Sequence, residues 1–161
     1  MRTGAHVSIA GGAEKAIERQ EQLGGSCGQI FAGSPQGWKV SGFDKAEARE
    51  FAEGREEADQ SPYAIHSTYL INLATPKDDL LKKSLKCLQA ELDAASKLGR
   101  AYAVLHPGAQ PRAGSKQGAD KVIAANRTFN IPTGVTTLFE KTAGKGTTVG
   151  KEVSAMRTMV E

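Results

Sequence analysis

Five times along this chain a short apolar stretch gives way to a longer segment with helical spacing, and no linker, repeat or low-complexity run interrupts the alternation. Gly4-Ala5-His6-Val7-Ser8 precedes a helical pattern over 13–23, which Gly24-Gly25 stops. A second strand, 27–31, leads to a helix over 44–58, with Asp44 as N-cap and Glu47 completing a capping box. Tyr63-Ala64-Ile65-His66 is followed by a long helix over 77–98, whose apolar stripe runs Leu81, Leu85, Leu88, Leu92, Ala95, Leu98 before Gly99. A fourth strand over 102–106, closed by Pro107-Gly108, precedes a helix over 116–129. A fifth strand over 135–140 precedes the start of a last helix over 151–161. Alternation of this kind predicts an α/β fold, a parallel sheet with helices outside it. A doubly wound sheet and a (β/α)8 barrel both fit. A complete barrel needs about 250 residues, so a barrel chain of 161 residues would hold about five strands of eight.

Composition narrows the class further. Hydrophobic residues at 39% and charged residues at 24% suit a packed core and argue against wholesale disorder. No apolar run approaches a membrane span, Met1 opens no signal-peptide pattern, and two scattered cysteines, Cys27 and Cys87, make neither a disulfide framework nor a cysteine zinc site. A cytoplasmic setting with no membrane partner is expected. Residues 1–60 hold 7 basic and 10 acidic side chains, and residues 61–161 hold 14 and 8. A basic second part permits a polyanionic partner, although a solvated lysine-rich helix face is the commoner explanation of such a charge balance.

All three histidines of the chain, His6, His66 and His106, fall at predicted strand ends, and the fifth strand ends in Glu140. In parallel α/β folds the C-terminal strand ends gather ligands and chemistry. Neighbouring strands lie about 4.8 Å apart, so residues ending strands three, four and five can converge on one ion. Two imidazoles and a carboxylate are a common zinc ligand set that leaves a position open for water or substrate. The alternative is that each histidine hydrogen-bonds in its own loop while Glu140 faces solvent. Asp44, Asp78 and Asp79 read as helix-start residues. Gly144-Lys145-Gly146 lacks the P-loop spacing of a phosphate nest. Trp38 and Tyr69 stand in loops, placed either to pack or to stack against a nucleic-acid base.

Four segments, in order and at matching spacing, resemble the endonuclease IV family of apurinic/apyrimidinic endonucleases: Gly4-Ala5-His6-Val7-Ser8 with Gly11-Gly12; His66-Ser67-Thr68-Tyr69-Leu70-Ile71-Asn72-Leu73; His106-Pro107-Gly108; and Glu140-Lys141-Thr142-Ala143-Gly144. The resemblance implies a TIM-type barrel with three zinc ions at its C-terminal face. It implies cleavage of the DNA phosphodiester 5′ to an abasic site, and a monomer in the full-length family. His66 and His106 match the family's first two histidine ligands, and Glu140 matches a catalytic glutamate bridging two metals. Tyr69 and Leu70 match residues inserted into the damaged duplex. Gln36 stands where a DNA-gripping basic residue is often found, and Lys141 where asparagine is commonest; His6 receives no ligand role.

The resemblance reaches only the first half to three-fifths of the family, so 1–161 is expected to be one domain, the N-terminal portion of a (β/α)8 barrel. One zinc site would be largely complete, and the other two would lose most of their ligands. The isolated chain is therefore expected to be a weak or inactive nuclease, poorly soluble through its open edges. Two further readings are a sugar isomerase or epimerase of the xylose-isomerase-like barrel group, and a catalytically silent fragment that binds DNA or one metal.

Overall fold

The computed structural model describes residues 1–99, 101–110, 114–143 and 146–160. Among these described residues five strands alternate with five helices: β1 (Gly4–His6), α1 (Lys15–Gln22), β2 (Cys27–Ile30), α2 (Lys45–Glu57), β3 (Tyr63–His66), α3 (Asp78–Lys97), β4 (Ala101–Leu105), α4 (Gly114–Asn126), β5 (Val135–Phe139) and α5 (Val153–Val160). All strand pairs are parallel, and the sheet order is β1-β2-β3-β4-β5. A doubly wound sheet reverses direction at a switch point. This order never reverses, so the units wind one way, as in a barrel, and β1 and β5 are left as edges.

Local chemistry explains the elements. Asp44 caps α2 by accepting from Ala46 N (2.7 Å) and Glu47 N (2.9 Å), and Glu47 returns a bond to the Asp44 N–H at 3.0 Å. In α3 the expected stripe faces the sheet: Leu88, Leu92, Ala95 and Leu98 are buried, while Leu81 and Leu85 are partly covered. Truncating either Leu88 or Leu92 to alanine would cost about 2–5 kcal/mol.

Burial alternates along the strands with period two. Tyr63, Ile65, Ala101, Ala103, Leu105 and Val135 point into the core shared with the helices, whereas Tyr102, Thr136 and Leu138 lie exposed on the opposite face. Register shows which residues share that exposed face. His66 pairs with Val104, and Val104 with Leu138. Two residues beyond Val104 and Leu138 come His106 and Glu140, so all three candidates lie on the uncovered face at one end of the sheet. β4 and β5 stop one residue short of His106 and Glu140, although Glu140 N still continues the ladder onto Leu105 O (2.9 Å). Gly144 and Lys145, weighed above as part of a phosphate nest, lie outside the described residues.

Candidate metal centre

His66 is buried, and its two ring nitrogens have different surroundings. Nδ1 lies 2.7 Å from the Ser67 carbonyl oxygen, which can only accept, so Nδ1 carries the proton and donates. Nε2 lies 3.1 Å from Glu140 Oε2. With Nδ1 as donor, a neutral His66 faces the carboxylate lone pair to lone pair, an arrangement that suits a cation held between them. Donor atoms of His66, His106 and Glu140 all lie within 4.8 Å of one another. The Glu140 side chain is 47% exposed, so the group opens to solvent on one side. His106 contributes an edge-on ring 5.3 Å from His66, and its Nδ1 is buried with no hydrogen-bond partner among the described residues. A buried ring nitrogen without a partner is uncommon unless an ion or ligand completes it. The residues fit a divalent metal of zinc type.

Two loops hold this group in place. Thr68 Oγ1 and Tyr69 N both donate to Pro35 O, at 2.7 and 3.0 Å, tying the loop after β3 to the loop after β2. Asn72 braces the loop after β4: its Oδ1 accepts from Ala74 N and Ala109 N, and its Nδ2 donates to Ala109 O at 3.0 Å. Gly108 sits at φ +105°, and a Cβ there would collide with Asn72 Oδ1, so the Pro107-Gly108 turn needs glycine on both counts.

The remaining candidates divide between this mouth and the core. Tyr69 is 59% exposed, with its ring 5.7 Å from that of His66 and stacked 6.5 Å from that of His106. Leu70 beside it is half-buried, and Gln36, next to Pro35, is exposed. Trp38 is a packing residue: it is partly buried against the core, with Lys83 Nζ 4.6 Å over its ring and Cys87 Sγ donating to its carbonyl. His6 packs on Phe31 at 4.2 Å and accepts from the Gln29 amide at 2.9 Å; partial burial and the neighbouring His66 hold its pKa below the ordinary histidine value. Asp44 caps its helix, whereas Asp78 and Asp79 lie in the first turn of α3 without a side-chain cap bond from Lys77.

Sequence reasoning passed over two residues that support the site, Asn72 and Glu91. Glu91 is a buried carboxylate on α3 whose Oε1 accepts from Thr68 N at 2.9 Å. Burial pushes its carboxyl above the usual range, opposed by the Thr68 N–H, the Ser67 hydroxyl and His66. That hydroxyl neighbours Glu91 without an aligned hydrogen bond, and Oε2 has no partner among the described residues. The available signal was its position, three residues after Leu88 and four before Ala95, inside the apolar stripe.

Residues 13–161 match the family described as "Xylose isomerase-like TIM barrel". The whole chain aligns at 45% identity with a "Probable endonuclease 4" of Haloquadratum walsbyi, spanning 58% of that relative's length. The crystal structure of endonuclease IV from Thermus thermophilus superposes with a TM-score of 0.86 at 33% identity, over 99% of this chain and 59% of that one. A D-tagatose 3-epimerase-like protein superposes at TM-score 0.70 and 15% identity, a likeness of fold alone, over 99% of this chain and 60% of that one. The chain thus spans about three-fifths of the length of these proteins. It belongs to the xylose isomerase-like TIM barrel family, and within that family it is similar to proteins named endonuclease 4.

Proposed function

We propose that this chain is the N-terminal portion of a (β/α)8-barrel DNA-repair endonuclease that is zinc-dependent and cleaves the phosphodiester 5′ to abasic sites. The observation that carries the reading is the group His66, His106 and Glu140, with donor atoms within 4.8 Å and the exposed Tyr69 ring against both imidazoles. A metal-ligating trio adjoining an aromatic wedge is suited to a duplex from which one base is missing. Similarity to relatives named endonuclease 4 supports it.

In this reading His66, His106 and Glu140 hold one zinc, and ligands for the family's other two ions come from elsewhere in the longer protein. Bound there, zinc supplies Lewis-acid charge at a phosphate oxygen. The chain's own side chains do the positioning. His66 keeps its Nδ1 proton on Ser67 O, so Nε2 stays aimed at the ion. Glu140, half in solvent, is the catalytic carboxylate at the edge where the phosphate arrives. Tyr69 and Leu70 enter the duplex from the loop anchored at Pro35, and Gln36 beside that anchor contacts the distorted strand. Gln36 lacks the charge of the basic residue often found there, so its contact forgoes the ion-pair attraction to the phosphate backbone.

The test is fluorescence anisotropy with a duplex carrying one tetrahydrofuran abasic analogue and with its intact counterpart, each with and without zinc. The expected result is zinc-dependent binding that favours the abasic duplex by about tenfold, equivalent to about 1.4 kcal/mol. Equal binding of both duplexes, or binding indifferent to zinc, contradicts the proposal. The epimerase reading rests on likeness of fold alone, and ketose binding in its place would revive it.

A further inference from the structure

Glu91 occupies a helix position where a leucine would pack, with 4% of its surface exposed. Placing a carboxylate there carries a desolvation penalty that one hydrogen bond offsets only in part. Its hydrogen-bond partner indicates what it does. Oε1 accepts from Thr68 N at 2.9 Å, and that N–H belongs to the same peptide group as the Ser67 carbonyl. The Ser67 carbonyl oxygen in turn accepts from His66 Nδ1 at 2.7 Å. Carboxylate, peptide and imidazole therefore form one line that ends at His66 Nε2, 3.1 Å from Glu140.

From this line we infer that Glu91 is a positioning residue for metal binding, fixing the Nδ1–H tautomer and ring orientation of His66 through the Ser67–Thr68 peptide. Metal-ligating histidines commonly donate their second N–H directly to a carboxylate, which orients the ring and raises ligand basicity. Here a planar peptide stands between the two. Hydrogen bonding its N–H to an acceptor polarises its C=O and strengthens the bond from Nδ1. The same contact pins Thr68, whose N–H would otherwise be buried without a partner, and so fixes the loop that carries Tyr69. The inference rests on the reading of His66 as a metal ligand. His106 offers a contrast within the same group, since its Nδ1 has no partner among the described residues.

The experiment uses the full chain with 15N-labelled histidine, in wild-type form and as Glu91→Gln and Glu91→Leu, with thermal melts as the check on folding. In metal-free wild type, the His66 15N shifts should show protonated Nδ1 and bare Nε2. Glu91→Leu should mix the tautomers at His66 while leaving His106 shifts in place, and should weaken cobalt(II) binding by about 10–100-fold. Glu91→Gln keeps an acceptor for Thr68 N–H and should retain the tautomer, with only several-fold weaker cobalt binding. If Glu91→Leu fails to fold, the glutamine variant and the wild-type tautomer carry the test. A protonated Nε2 in metal-free wild type, or cobalt affinity and His66 shifts unchanged in whichever variants fold, overturns the inference. Failure of the metal reading itself shows differently: His66→Ala would then bind cobalt as wild type does, while the metal-free tautomer still decides the role of Glu91.

Discussion

Tyr69 is the residue where ordinary packing and DNA recognition make opposite forecasts. The residue is 59% exposed, yet its ring meets Phe31 and His66 edge-on and stacks near His106. If those contacts were the reason for the ring, Tyr69→Ala would disturb the site and weaken all duplexes alike. As a wedge, the ring gains most where a base is missing. Tyr69→Ala is then expected to lose about 1–3 kcal/mol of binding to an abasic duplex, with little change for intact duplex, in the same anisotropy assay. Sequence made the neighbourhood legible because three histidines and a glutamate fell at strand ends, and period-two geometry carries strand-end residues to one face. It did not disclose Glu91 or Asn72. A glutamate in a helix ordinarily reads as solvated surface, and an asparagine in a loop reads as turn chemistry. Their partners, Thr68 and Ala109, lie 23 and 37 residues away.

Among the elements, α2 and α3 follow their sequence signals closely, one by its capping box and the other by its apolar stripe. The predicted helix over 116–129 is displaced toward the N-terminus, to Gly114–Asn126, since Thr128 closes a turn on Ala125 by both N–H and Oγ1. β3 offers a test of its own burial. Tyr63, 1% exposed, packs edge-on against Phe51 and donates its hydroxyl to Gln60 Oε1 at 2.6 Å. Burial above all, with electrostatic contributions from Cys27 and Glu21 opposed by Arg55, pushes its pKa from 10.0 up to about 12. The folded state thus holds the phenolic proton more tightly than the unfolded state does. That contribution to stability is complete below about pH 10 and is lost as pH rises to about 12. Urea unfolding across this range should show wild type losing stability more steeply than Tyr63→Phe; identical slopes would remove Tyr63 from the account.

At the scale of the whole molecule, the consecutive strand order is what the alternation of elements left open. Doubly wound and barrel-type chains present the same string of strands and helices, and only hydrogen-bonded order separates them. Among the described residues the sheet ends in two open edges, and Tyr102 and Leu138 remain exposed on the face that bears His66, His106 and Glu140. That face is where the account stands or falls. Zinc K-edge X-ray absorption on the chain loaded with one equivalent of zinc tests it most directly. The account predicts a first shell of nitrogen and oxygen only, at about 2.0–2.2 Å, with two imidazoles in the outer scattering, and loss of stoichiometric binding in a His66→Ala, His106→Ala double variant. A shell containing sulfur at about 2.3 Å, from Cys27 or Cys87, or zinc retained by the double variant, would contradict it.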